Sequence, residues 1–203
     1  EKFVNSYVFV DKLSHLLSGN EVIATDMGTS FTGTYQAVKL KEGQRIITSS
    51  GMASMGWGLP GAIGACFAND KKRTICLSGD GGMQFNIHEL QTIKHHQLPI
   101  KIFVLSNGGY LTMKETMKRN FGGRFIASES SSGVSLPDFK KVAEAYGLRA
   151  ERIENHKMMN EKLPEILSSE EPILCDVVMN PEQSLEPRLV SRAGKNGKKY
   201  PCP

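Results

Sequence analysis

No apolar run in the 203-residue sequence approaches the roughly 20 residues a membrane-spanning helix needs, so no membrane partner is expected. The N-terminus lacks the charged, apolar and small-residue order of a secretory signal, and a cytoplasmic protein is the default expectation. Cysteine is sparse: Cys66, Cys76, Cys175 and Cys202 form no CxxC pair, and three of them lie in apolar runs where Cys acts as a small hydrophobe. Neither a disulfide scaffold nor a zinc site is expected. Stacking aromatics are missing from the basic C-terminal end apart from Tyr200, so Arg188, Arg192, Lys195, Lys198 and Lys199 read as a solvated arm and no nucleic-acid partner is expected.

What is present describes an ordinary globular chain, with 39% hydrophobic and 23% charged residues. That length supports one substantial core, taken here as a domain over 1–180 followed by an extended basic tail over 181–203. Pro181, Pro187, Gly194, Gly197, Pro201 and Pro203 predict a tail that is mobile and unanchored.

Along the domain, residues 6–18 carry Val8, Leu13, Leu16 and Leu17 near helical spacing and end at Gly19, which suits a left-handed glycine cap. Strands are expected at Val22–Thr25, more weakly at Ile46-Ile47, at Thr74–Ser78, at Ile100–Leu105, near 150–153 and at Ile173–Met179. Between them fall a small-residue helix ending near Asn69, a helix over 86–96 with Asn86 as N-cap, and helices around 112–119, 137–146 and 158–168, with a polar loop at 127–135. Strands alternating with helices predict an α/β doubly wound fold, a mainly parallel sheet with helices on both faces.

Ligands of such sheets bind beyond the carboxyl ends of the strands. Three polar, glycine-bearing segments qualify: Asp26 to Ser30, Gly79 to Gly82, and Ser106 to Tyr110. Asp80 stands among glycines whose backbone can turn sharply and present amides to phosphate oxygens. Adjacent parallel strands would bring the Asn107 amide oxygen beside its carboxylate. Such hard oxygen ligands suit Mg²⁺ or Ca²⁺, and Mg²⁺ is usually completed by a ligand's phosphates.

Gly79-Asp80-Gly81, with Ser106-Asn107 beginning 25 positions after Gly81, resembles the signature of thiamine diphosphate (ThDP) dependent enzymes. The resemblance implies Mg²⁺ ligation by Asp80, Asn107 and the carbonyl of Gly109; the first Asn of the family's pair is Ser106 here. The segment Ser50 to Ala65 is similar to the acetolactate synthase large subunit, which implies that Met55 bends the cofactor and that the Ala53 carbonyl accepts from its amino group. Asp26-Met27-Gly28-Thr29-Ser30 resembles a segment that touches the diphosphate, with Thr29-Ser30 in place of the usual Gln-His. The implied cofactor set is Gly28, Thr29, Ser30, Ala53, Met55, Gly79, Asp80, Gly81, Gly82, Asn107, Gly109 and Tyr110.

The similarity runs on through Pro137-Asp138-Phe139 and Ala143–Leu148 to Pro172–Val177, nearly the whole chain. It implies 2-oxo acid decarboxylation and carboligation in an oligomer, with the activating glutamate supplied by a pyrimidine-binding domain of the same or a second subunit. No segment matches that domain, so the polypeptide is expected to be incomplete and inactive alone. Thr116 stands where acetolactate synthases typically carry a Trp, which leaves a specialised, for instance sugar-derived, substrate as the main alternative, beside a noncatalytic homologue.

Gly56-Trp57-Gly58-Leu59-Pro60-Gly61 also fits GxGxxG, with Asp80 19 positions beyond Gly61. Nine residues lie between Ile46 and Gly56, whereas a dinucleotide turn follows its strand directly, so NAD is not the expected cofactor. His88 and His95 share a helical face at a separation of seven but have no acidic partner at ligand spacing, and with His96 they read as surface or hydrogen-bonded histidines. Lys114, Lys118 and Arg119 read as an exposed helix face.

Overall fold

The computed structural model describes residues 2–187, and the backbone of 190–193 and 199–202. Six strands, β1 (Val22–Thr25), β2 (Arg45–Ile47), β3 (Thr74–Gly79), β4 (Ile100–Ser106), β5 (Arg149–Ile153) and β6 (Ile173–Val178), form one sheet in the order β2-β1-β3-β4-β6-β5. Every pairing in it is parallel. The helices are α1 (Ser6–Leu16), α2 (Thr29–Ala37), α3 (Gly58–Ala68), α4 (Asp80–Met83), α5 (Leu90–His96), α6 (Leu111–Asn120), α7 (Phe139–Ala145) and α8 (His156–Ser168). The expected doubly wound α/β fold is therefore correct.

Side chains of β4 divide by the two-residue period of a strand. Phe103 and Leu105 enter one core with Phe9 and Leu13 of α1 and Leu163 of α8. Ile102 and Val104 enter the other with Leu59 of α3, Leu90 of α5 and Phe139 of α7. Continuous apolar runs such as Ile75-Cys76-Leu77 follow from this two-sided burial. The edge strand β5 is laced with charge instead: Arg149 pairs with Glu151 and Glu165, and Lys162 with Glu151. No helix among the described residues is long and apolar enough to cross a membrane.

Three expectations need correction. Helix α1 stops at Leu16, not at a glycine cap, and Leu17 is extended. The buried Glu21 carboxylate accepts the N–H groups of Ser18 and Gly19, each at 2.9 Å, and so holds the chain in a turn. The helix expected over 86–96 is two pieces, the end of a 3-10 segment Gln84–Glu89 and then α5, and the 3-10 segment follows directly on α4. Asn86 is no N-cap but a kink at φ −132°, its side-chain N–H₂ turned to the Gly56 carbonyl at 2.8 Å. His88 and His95 consequently do not share one α-helix.

The tail is anchored at its start. Gln183 is buried and exchanges two hydrogen bonds with Ser6, at 3.0 and 2.5 Å, while the Glu186 N–H donates to the Tyr7 hydroxyl at 2.7 Å. Further on, β7 (Val190–Ala193) and β8 (Lys199–Cys202) pair antiparallel. The arm's basic side chains, from Arg188 to Lys199, lie outside the described side chains.

Candidate functional site

Strands β1, β3 and β4 end side by side at the carboxyl edge of the sheet. The chain passes from β1 to β2 on one side, and β3 lies on the other, the switch point at which open α/β sheets hold ligands. Gly79 is in register with Leu105, so Asp80 emerges beside Ser106 and Asn107. Thr25 is in register with Leu77, so Asp26 emerges beside Ser78. A cleft of about 150 Å³ opens there, walled by Met27, Gly28, Thr29, Met55, the run Gly79-Asp80-Gly81-Gly82, Asn107, and the stretch Gly109 to Met113.

Asp80 is 2% exposed. Its Oδ2 accepts the backbone N–H groups of Asn107, Gly108 and Gly109 at 2.9, 2.8 and 3.3 Å, and its Oδ1 accepts that of Gly81 at 2.8 Å. Burial pushes the carboxyl up to about 6 in spite of these four donors. Asn107 Oδ1 beside it is buried and accepts no hydrogen bond from the described residues. A buried amide oxygen without a donor is costly, and one next to a desolvated carboxylate marks a place for a cation. Carboxylate and amide oxygen are ligands of Mg²⁺ type, and the rest of such a shell comes from carbonyl, water or phosphate oxygens. The donor set therefore fits a divalent ion that arrives with a diphosphate.

The glycines beside Asp80 are required by close approach. A Cβ on Gly81 would overlap the Tyr110 ring, and one on Gly82 would overlap the Asp26 carboxylate. The bare backbone leaves the cleft floor open.

Of the residues implied by the resemblance, all but Ser30 and Ala53 line this cleft. Thr29 and Ser30 are the first turn of α2, a helix the sequence reading left as loop; the Ser30 hydroxyl donates to the Met27 carbonyl at 3.0 Å. Ala53 lies in the exposed loop before α3 at φ +53°, its N–H donating to the Ser49 carbonyl at 2.7 Å. Lys114 is not on an exposed face as expected: it is 7% exposed and pairs with Glu129 at 2.8 Å and Glu182 at 3.1 Å, tying α6 to the start of the tail.

Two polar residues were given no role of their own in the site: Asp26, named only as the first residue of a ligand segment, and Asn86, taken as an N-cap. Asp26 is 1% exposed and accepts from the Met27 and Gly56 N–H groups and from the Ser78 hydroxyl, with burial raising its pKa. Asn86 holds the carbonyl of the same Gly56. A signal existed for Asp26, an acidic residue closing a buried apolar run just as Asp80 does; for Asn86 there was none, because its partner lies 30 residues upstream.

Fold and cleft define a class: a doubly wound α/β domain with a carboxylate–amide pair and a bare glycine floor at its switch point. Residues 26–177 match the family model "Thiamine pyrophosphate enzyme, C-terminal TPP binding domain". The chain belongs to that family, and the cofactor pair expected from the sequence, ThDP with Mg²⁺, is the family's. It is 35% identical over 169 residues to the probable acetolactate synthase large subunit of Methanococcus aeolicus, covering 83% of this chain and 28% of that protein. It is 34% identical over 166 residues to the acetolactate synthase large subunit of Cyanidium caldarium, with 82% and 28% covered. Against the chloroplastic acetolactate synthase 1 of Nicotiana tabacum it is 30% identical over 186 residues, with 90% and 28% covered. The chain thus spans little more than a quarter of the length of these relatives.

Proposed function

We propose that this chain is the diphosphate- and metal-binding half of an acetolactate synthase-like active site. Asp80 and the Asn107 amide oxygen hold Mg²⁺ with the Gly109 carbonyl, and the Gly79–Gly82 backbone faces the diphosphate. Met27, Gly28 and Thr29 form the opposite wall, Met55 supports the cofactor from above, and Tyr110 closes the floor against Gly81. The single observation that carries this reading is the orphaned Asn107 Oδ1 beside the buried Asp80 carboxylate. When bound, ThDP supplies the electron sink for decarboxylating a 2-oxo acid. The residues of this chain bind it, orient it and exclude water from its diphosphate.

The group that activates the cofactor's aminopyrimidine belongs to a pyrimidine-binding domain of the same or a second subunit of an oligomer. In this reading the cradle is residues 1–180, and the first residues of the arm over 181–203 are tied to α6 by the Lys114–Glu182 pair. A cytoplasmic setting goes with it, since Cys66, Cys76 and Cys175 are buried and unpaired.

A second substrate reading has its own observation. Beside the cleft, sharing Thr112 with it, lies a cavity of about 390 Å³ lined by Thr32, Thr112, Glu115, Thr116, Arg119, Leu185 and Pro187. Three hydroxyls, a guanidinium and the Glu115 carboxylate suit the hydroxyl groups of a polar, sugar-derived 2-oxo acid better than a second small apolar one.

Calorimetric titration of ThDP into the chain, with and without Mg²⁺, tests the proposal. Binding that needs the metal and vanishes in Asp80→Ala is expected; equal affinity without Mg²⁺, or in the variant, contradicts it.

A further inference from the structure

The loop joining β2 to α3 reaches the interior at one point. Residues 51–55 are exposed, Met52 by 84% and Met55 by 37%, whereas Gly56 is buried. The Gly56 N–H donates to both oxygens of Asp26, at 2.9 and 3.1 Å, and its carbonyl accepts from Asn86 Nδ2 at 2.8 Å. Gly56 has φ +84°, and a Cβ there would lie 2.5 Å from the Phe85 Cβ, so no other residue fits this peptide.

The Asp26 carboxylate is itself held on several sides. It accepts from Met27 N–H at 2.8 Å and from the Ser78 hydroxyl at 3.0 Å, and it packs against Gly82 of the cleft floor. One buried carboxylate therefore joins the ends of β1 and β3 to the peptide that follows Met55. Asp26 does not line the cleft. Met is a flexible side chain whose placement depends on a rigid backbone, and charge-assisted hydrogen bonds to a buried carboxylate are the strong kind.

From this geometry we propose that Asp26 is a positioning residue for the cofactor site: through the Gly56 peptide, which Asn86 clamps from its other side, it fixes Met55 over the cleft. The inference rests on the cofactor reading above for its consequence, though not for the clamp itself. A site held in its productive shape before the ligand arrives binds more tightly, because ordering the loop is not charged against binding.

Hydrogen exchange on the metal-free chain tests the clamp without any ligand. In Asp26→Asn, and more mildly in Asn86→Ala and Ser78→Ala, amides of residues 52–57 should exchange about tenfold faster, while amides that open locally elsewhere, at the ends of α7 and α8, keep their rates. Unchanged exchange at Gly56, or equal acceleration of those remote helix-end amides, overturns the proposal. Should Asp26→Asn not fold, the two milder variants decide. Calorimetry with ThDP and Mg²⁺ then reads the consequence as a double-mutant cycle. Asn86→Ala is expected to weaken binding about threefold in the parent chain and negligibly in Met55→Ala, since both act on the same contact. Additive losses would show that the clamp does not work through Met55. Failure of the parent chain to bind ThDP would count against the cofactor reading, while the exchange result would still decide the clamp.

Discussion

Two carboxylates close two neighbouring strands of this sheet, and their surroundings differ in one respect. Asp26 and Asp80 are both buried, both raised in pKa by that burial, and both surrounded by backbone N–H donors. Asp26 spends its oxygens on holding segments together: Met27, Gly56 and Ser78 all donate to it, and it does not face the cleft. Asp80 faces the cleft with an amide oxygen at its side that no group among the described residues satisfies. The same residue type in the same topological place is a structural tie in one case and half of the proposed metal site in the other. The difference lies in whether the neighbouring polar atoms already have partners.

That distinction is open to attack by substitution. The largest effect is expected for Asp80→Asn, which should weaken Mg²⁺-dependent ThDP binding by at least about a hundredfold, beyond the loss typical of a metal's supporting partners. Its metal-free stability should stay within about 1 kcal/mol of the parent: an amide oxygen can still accept the three N–H groups now on Oδ2, the new N–H₂ faces only the Gly81 N–H, and the neutral group is easier to bury. Urea denaturation beside calorimetry checks both halves. Comparable losses of binding and stability would erase the contrast between the two sites.

Asp26→Asn should behave the other way round. An amide N–H₂ at Oδ1 faces the Met27 and Gly56 N–H groups, and one at Oδ2 still meets the Gly56 N–H beside a Ser78 hydroxyl that can turn to accept, so unfolding free energy should fall by about 2 kcal/mol, read as a lower urea midpoint at unchanged slope. Its effect on ThDP affinity should remain well below that of Asp80→Asn.

Asn107→Ala sharpens the comparison from the other direction. Because Oδ1 has no partner among the described residues, its removal should cost binding about tenfold and leave thermal stability within a degree or two. A drop in stability equal to that of an ordinary lost hydrogen bond would mean that Oδ1 already has a structural partner. The smallest effect is expected for Ser106→Ala. Ser106 donates to Asp176 at 2.5 Å, and Arg152 holds the other oxygen of Asp176 at 2.7 Å, so the pair survives and stability should fall by about 1 kcal/mol with ThDP affinity nearly unchanged.

Much of this site was legible in the sequence because its parts are local. A buried apolar run followed by Gly79-Asp80-Gly81-Gly82, and another followed by Asn107, declare their places at the sheet edge, and parallel register does the rest. What escaped depends on partners far away along the chain. Glu21 ends α1 from beyond its C-terminus, and the kink at Asn86 answers to Gly56. The anchor of the tail is a hydrogen bond between Gln183 and Ser6, 177 residues apart. Lys114 looked solvated because its two carboxylates, Glu129 and Glu182, come from a loop and from the tail. Periodicity carries no record of such pairings, since each is decided only when the packed elements meet. The start of α2 at Thr29 was missed for a related reason: its first residues resemble a ligand loop, and its cap is Gly28 with no side-chain hydrogen bond to betray it.

The account stands or falls on a cation shared between Asp80, Asn107 and a diphosphate. Electron paramagnetic resonance with Mn²⁺ in place of Mg²⁺ addresses this directly. The account predicts that the chain immobilises Mn²⁺ when ThDP is present, that it does so poorly without ThDP, and that in Asp80→Asn the ion keeps the spectrum of free Mn²⁺. Mn²⁺ bound equally well without ThDP, or held undiminished by Asp80→Asn, would contradict it.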